Sequence, residues 1–204
     1  MTNVYFYPDA YSEEDDLFEV TGKPKYAHYI EVDEIEKFLI DYLCVLNKFP
    51  VYLTLTTYND YEEIEVLLIK LKQEYLVETL SDIVYSSTED GGILKYHIPI
   101  IKVNITNAKA LESIISSTFW LAESNCKYIF STSDNVSYKT EKEKDWRGKD
   151  VEYSTIFIDM TKETTTIGIT HDAHGLYLFS TLEEYGSIFN IEKQLKNYTI
   201  VTNE

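Results

Sequence analysis

The chain has 204 residues and a formal charge of −17, with 44% hydrophobic and 14% aromatic residues. That length suffices for a full hydrophobic core, and the composition is too apolar for a disordered chain. A field of this sign repels nucleic acid and anionic membrane and attracts basic proteins and cations, so electrostatic binding to the first two is excluded.

The charge is uneven. Residues 1–90 hold 20 Asp/Glu against 6 Lys/Arg, whereas residues 91–204 hold 15 against 12. The opening stretch MTNVYFYPDAYSEEDD has no basic region and no long apolar run, so neither a signal peptide nor a membrane-spanning helix is expected. Two cysteines, Cys44 and Cys126, without a C-x-x-C motif point to a reducing, cytoplasmic setting. Lysine supplies all basic residues but Arg147, a bias that fits coding from an AT-rich bacterial or phage genome.

NVYFY (3–7) has strand character up to Pro8, and the acidic run DAYSEEDDLFEV (9–20) reads as a loop or short helix. YAHYIEV (26–32) alternates as a strand does. The segment 33–49 then places Ile35, Phe38, Leu39, Tyr42, Leu43 and Leu46 on one helical face, with Asp33 to cap it and Pro50 to stop it. VYLTLTT (51–57) is β-rich. NDYEEIEVLLIKLKQEYL (59–76) reads as a helix capped by Asn59 or Asp60, with acids early and lysines late to match the helix dipole.

Strands are expected over 79–87 and 93–106, joined by the turn TEDGG, with Pro99 implying an edge or a break. Asn107 can cap a helix over AKALESIISSTFWLAES (108–124), whose apolar face is expected to bury Trp120. After the strand KYIFSTS (127–133), residues 134–152 form the longest polar loop. The remainder is β-rich at 153–160, 164–170 and 175–180, then a short helix (182–195) and a closing strand (198–201). The expected fold is α+β: mixed, mainly antiparallel sheets with three to four helices and a β-meander in the C-terminal third. One domain over 1–204 is expected, with 134–152 as the one place for a sub-boundary.

Candidate chemistry is sparse. His171-Asp172-Ala173-His174 carries two of the four histidines, but His28 and His97 are remote β-segment partners, and zinc needs three or four ligands. A turn between two strands, with Gly175 as its tight-turn residue, accounts for the motif better, leaving His171 and His174 as weak metal candidates only. There is no G-x-S-x-G elbow and no phosphate-binding glycine loop. Cys44 reads as core, and Cys126, despite adjacent Lys127, as the entry to a strand.

The acidic run Glu13, Glu14, Asp15 and Asp16, followed by Glu19, lacks the alternation of a calcium loop. It is a solvated run that could also meet a basic partner. Trp146 and Arg147 stand side by side, and these residue types often dominate interfaces. No motif assigns a family. In general type the chain is similar to the small acidic immunity proteins of bacterial toxin systems, which implies a non-enzymatic inhibitor without cofactor that neutralises a basic toxin or effector by contact. A phage inhibitor of a host defence enzyme uses the same physics. From another class, an enzyme or ligand-binding domain would centre on His171, Asp172 and His174.

Overall fold

A computed structural model describes residues 2–11, 18–87, 91–144 and 146–203, with the backbone alone for Ser87. Strand β1 (Thr2–Pro8), β2 (Glu19–Thr21) and β3 (Tyr26–Val32) precede helix α1 (Ile35–Leu46). β4 (Val51–Thr56), α2 (Glu62–Lys70), β5 (Glu74–Ser87) and β6 (Ile93–Ile105) follow, then α3 (Ala108–Thr118), α4 (Trp120–Glu123) and β7 (Tyr128–Ser131). The chain continues through β8 (Val136–Lys144), β9 (Asp150–Asp159), β10 (Thr165–Ile169) and β11 (Leu176–Ser180), ending with α5 (Glu183–Gly186), α6 (Ile188–Gln194) and β12 (Tyr198–Thr202).

Two sheets result. The large one has nine strands in the order β12-β1-β3-β11-β10-β7-β4-β6-β5, and the small one has three, β2-β9-β8. Within each sheet one pairing is parallel, β1 with β12 and β2 with β9, and the others are antiparallel. The fold is α+β, and its C-terminal third is rich in strands shared between the two sheets.

Strand alternation divides the core. In β7, Tyr128 and Phe130 join the helix-side cluster while Ile129 joins the other; in β11, Leu176 and Leu178 oppose Tyr177 and Phe179. The helix-side cluster takes α1 through Phe38, Leu39 and Leu43, α2 through Ile64 and Leu68, and α3 through Leu111, Ile114 and Ile115. The second cluster lies between the two sheets, where Val136, Ile156 and Ile158 of the small sheet meet Ile100, Ile129 and Phe179 of the large one. Phe18, just before β2, lies directly over Gly168 of β10: a Cβ there would fall 2.5 Å from the Phe18 ring. Its ring also meets Tyr177 and Phe179 edge-on.

The polar run Thr164–Thr166 is buried and satisfied by side chains. Ser131 Oγ lies 3.1 Å from Thr164 Oγ1 and 3.0 Å from Thr166 Oγ1, Asn135 Nδ2 donates to Thr166 Oγ1 at 3.1 Å, and Thr165 pairs with Ser180 at 2.8 Å. A fully satisfied network of this kind holds β7, β10, β11 and the entry to β8 in one register.

Several expectations from the sequence are corrected. The stretch 134–152 is not a loop but most of the β8–β9 hairpin, in register from Val136↔Ile158 to Lys144↔Asp150; it is polar because its outer half projects into solvent. The helix expected over 59–76 runs only from Glu62 to Lys70, and Tyr61 takes the cap position without a side-chain bond. Lys72 adopts φ +57, and Glu74–Leu76 turn into β5 as partners of β6. Buried Gln73 secures that junction, accepting from Thr106 N at 2.9 Å and donating to Leu71 O at 2.6 Å. Sheet pairing here overrides a helical periodicity.

Asp33 does not cap α1; Glu34 holds that position, again with no side-chain bond. The helix ends at Leu46, with Asn47 left-handed at φ 45, before Pro50 is reached. Asn107 caps α3 as expected, accepting from Ala110 N at 3.0 Å. Trp120 is not core: it is 48% exposed and stacks on Tyr58 with ring centroids 6.1 Å apart. Pro99 lies inside the β5–β6 ladder, opposite Thr79, where the register shifts between Thr79 and Ile83, so it marks the break that a strand proline requires. Among the described residues no helix is long and apolar enough to cross a membrane.

The Phe18–Gly168 contact gives a direct test of how the small sheet is held. Gly168→Ala is expected to destabilise by about 1–3 kcal/mol, as overpacking does. Urea unfolding of a double-mutant cycle should show that cost falling to under roughly 0.5 kcal/mol once Phe18→Ala has removed the ring. Equal costs in both backgrounds would mean that the ring is not the constraint.

Candidate functional site

Among the described residues, a groove of about 600 Å³ opens on the helix side of the molecule. One wall is the start of α1, contributing Asp33, Glu34, Glu36, Lys37 and Asp41; the other is Glu112 of α3 with Phe119 and Glu123 around α4. Asp172 and Ala173, from the turn between β10 and β11, close one end. Seven carboxylates and a single lysine therefore face one space. Lys37 is already engaged, 3.6 Å from Asp41 and 5.2 Å above the Tyr198 ring, while the Tyr198 hydroxyl donates to Asp41 at 2.6 Å. With that pair set aside, six carboxylates still face the groove.

Each wall has a local cause. Acids in the first turn of α1 interact favourably with the positive end of the helix dipole, by about 0.3–1 kcal/mol each, so the fold tolerates them there. Positions 33, 37 and 41 recur every four residues and so share one helical stripe, while the apolar stripe of α1 enters the core. Asp172 is fixed from outside its turn. Asn125, left-handed at φ 64 after α4, accepts from Asp172 N at 2.6 Å and donates through Nδ2 to Asp172 Oδ1 at 2.7 Å. The same Asn125 oxygen lies 3.1 Å from His171 Nδ1.

The motif ITHDAHG is therefore a turn docked onto α4, with His171–Ala173 forming a 3-10 turn. Its positive-φ residues are Asp172 and Ala173, not Gly175. Gly175 is needed for a different reason: a Cβ at that position would fall 2.5 Å from the Tyr29 ring. His171 and His174 are exposed. The other two histidines lie elsewhere. His97 sits on the β5–β6 hairpin with Nδ1 3.1 Å from Leu80 O, and His28 is buried in β3, donating from Nε2 to Gly186 O at 2.8 Å. Among the described residues no group of three or more His, Cys, Asp or Glu is arranged to hold a metal ion. Burial pushes both thiols, Cys44 and Cys126, up from the ordinary value, which leaves them poor nucleophiles at neutral pH.

Glu13, Glu14, Asp15 and Asp16 lie outside the described residues. Glu19 is exposed on β2, opposite Phe157 of β9, on the side of the large sheet away from the helices. Trp146 and Arg147 occupy the tip of the β8–β9 hairpin; Trp146 is 86% exposed, with the Arg147 guanidinium 4.3 Å from its ring centre. The strand residues between Phe157 and that tip put it roughly 25 Å from Glu19 at about 3.3 Å per residue. Among the described residues, Glu19 is not gathered with Trp146 and Arg147 into one patch. What the structure brings together are Asp33, Glu34 and Glu36 with Asp41, Glu112, Glu123 and Asp172; the acidity of residues 1–90 announced the first four, and nothing local announced the rest. The chain matches no family model, no curated protein and no solved structure.

Two outcomes are expected here. Asn125→Gly keeps the left-handed backbone but removes the clamp, so amide exchange at Asp172 should rise about fivefold or more for a loss of about 1 kcal/mol. Unchanged exchange would show the turn to be self-supporting. Burial holds His28 below its ordinary value of 6.5, against the opposing effect of its bond to Gly186. A group with a depressed folded pKa contributes stability that is present above the unfolded value and lost as pH falls through the folded one. Unfolding free energy should therefore decline as pH drops below about 6.5, and His28→Gln should flatten that slope.

Proposed function

We propose that this is a non-enzymatic binding protein that receives a basic protein partner in the acidic groove. The observation that supports the reading is the groove's lining: seven carboxylates against one lysine that is already paired. Electrostatic steering by the acidic surface would raise the encounter rate, and the groove would fix register. Trp120, which is exposed and stacks on Tyr58, belongs to the same short helix as Glu123, and an aromatic face of this kind can hold a lysine or arginine by cation–π contact. The class of function that suits such a surface is neutralisation of a basic toxin or effector enzyme, as an immunity-type protein or a phage inhibitor performs it.

The test must separate the groove from the overall charge. In 50 mM salt, a deca-lysine peptide is expected to bind the wild-type protein and to weaken as salt rises. The variant Glu36→Lys/Glu112→Lys/Glu123→Lys should lose about tenfold or more in affinity relative to Glu62→Lys/Glu63→Lys/Glu192→Lys, which changes the net charge equally. Equal losses would mean that the peptide senses only the general field and would remove the groove from the proposal.

A further inference from the structure

Among the described residues, β8 is paired with β9 on one side and with no strand on the other. Asp159 N donates to Asn135 O at 2.9 Å, in the register that runs on without a shift through β8 and β9. Bonded and non-bonded pairs alternate in an antiparallel ladder, so the odd-numbered residues of β8 are the ones tied to β9. Val136, Tyr138, Thr140, Lys142 and Lys144 therefore turn their N–H and C=O groups to the open edge. Such an edge is a template for another strand.

The charges on this strand say which strand fits. Two copies of a chain carrying −17 repel one another in general, yet β8 holds three lysines and two glutamates. It is also complementary to itself. In an antiparallel pair of β8 strands related by a two-fold axis at Thr140, Lys139 stands opposite the partner's Glu141, and Glu141 opposite the partner's Lys139. Tyr138 meets the partner's Lys142, a cation–π pair, and Thr140 meets its own copy. Lys139 and Glu141 fall at non-bonded positions of the new ladder, where opposed side chains are closest. Moving the axis by one residue sets Lys139 or Glu141 against its own like charge.

The same register brings the hairpin tip to a surface that the small sheet leaves open. With Lys144 opposite the partner's Val136, the tip continues past the partner's Asp134. Asp134 borders a pocket of about 300 Å³ over β4, β5 and β6. Strand register sets Glu74, Asn104 and Tyr52 there in one row, and Leu76 beside them is 54% exposed. The tip itself carries Trp146, 86% exposed, with the Arg147 guanidinium 4.3 Å from its ring centre. Trp146 supplies a ring for Leu76 and Tyr52, and Arg147 a cation for Glu74 and Asp134.

We propose that the β8 edge is the interface for a second copy of this chain. The two strands pair antiparallel about Thr140, and each hairpin tip covers the open corner of the other copy. The edge belongs to the layer opposite the helices, so the pairing goes beyond the binding proposed for the acidic groove and does not depend on it.

Sedimentation equilibrium of the full chain in physiological salt, from about 10 to about 500 µM, tests the pairing. The average mass should rise with concentration from 23.8 kDa toward twice that value. Amide exchange at Tyr138, Thr140 and Lys142 should slow about fivefold or more between the two concentrations, while the amides of Lys139 and Glu141 stay as they are. Lys139→Glu and Glu141→Lys should each weaken association about tenfold, and the double variant should restore it, because the swapped charges again face opposite partners. Trp146→Ala should weaken association about tenfold as well. Thr140→Pro removes an N–H from the open edge and none from the β8–β9 ladder, so it should give a monomer with a urea midpoint near that of wild type. Should it fail to fold, the charge swap decides. A mass of one chain at every concentration overturns the proposal and leaves the edge to a strand of another protein. A dimer that a folded Thr140→Pro variant still forms, or whose two charge variants do not rescue each other, overturns the β8 pairing.

Discussion

All three long helices deliver their apolar faces to one side of the nine-stranded sheet, so the other side must be covered by something else. That constraint shapes the rest of the molecule. Its central strands β7, β10 and β11 are buried on both faces, as strands between two layers are, and the missing layer is supplied by β2, β8 and β9. The contact that seats this layer is Phe18 against Gly168, where the absence of a side chain lets a ring approach the backbone of the sheet. Three short strands cannot cover nine. The corner lined by Glu74, Asn104 and Tyr52 is what they leave open, and polar side chains stand there rather than another row of valine or isoleucine.

On the helix side the same economy produces the groove. Helices α1 and α3 pack against the sheet and against each other, but their polar stripes diverge above the core and face one another across open space. Acids on both stripes are sustainable because water fills the gap and, for α1, because the helix dipole favours negative charge at that end. The turn carrying Asp172 then adds a carboxylate from a third element, held in place by Asn125 rather than by its own backbone. Charge that a monomer could spread for solubility alone is instead concentrated in a concave space, where converging field lines strengthen its pull on a cation.

Much of the local structure was legible in the residues. The stripe Ile35, Phe38, Leu39, Tyr42, Leu43, Leu46 and the cap at Asn107 follow from spacing and side-chain chemistry that act within one helical turn. The misreadings have a common origin in tertiary pairing. Residues 74–76 continue a helical pattern but are claimed by β6, and the polar 134–152 segment becomes strand because β9 offers it a partner. Trp120 follows an apolar face by one position and so emerges at the surface against Tyr58.

The sequence by itself determined the class of fold, the acidity of the N-terminal half and the scarcity of cysteine and histidine, because these depend on composition and on neighbours a few residues apart. Only the tertiary structure decided where the acidity is focused and which corner of the large sheet is left open. Asp41, Glu112, Glu123 and Asp172 come from four separate stretches of chain, and Glu74, Asn104 and Tyr52 form a row only through strand register. Such convergence is set by packing and long-range hydrogen bonding, and no local spacing in the chain encodes it.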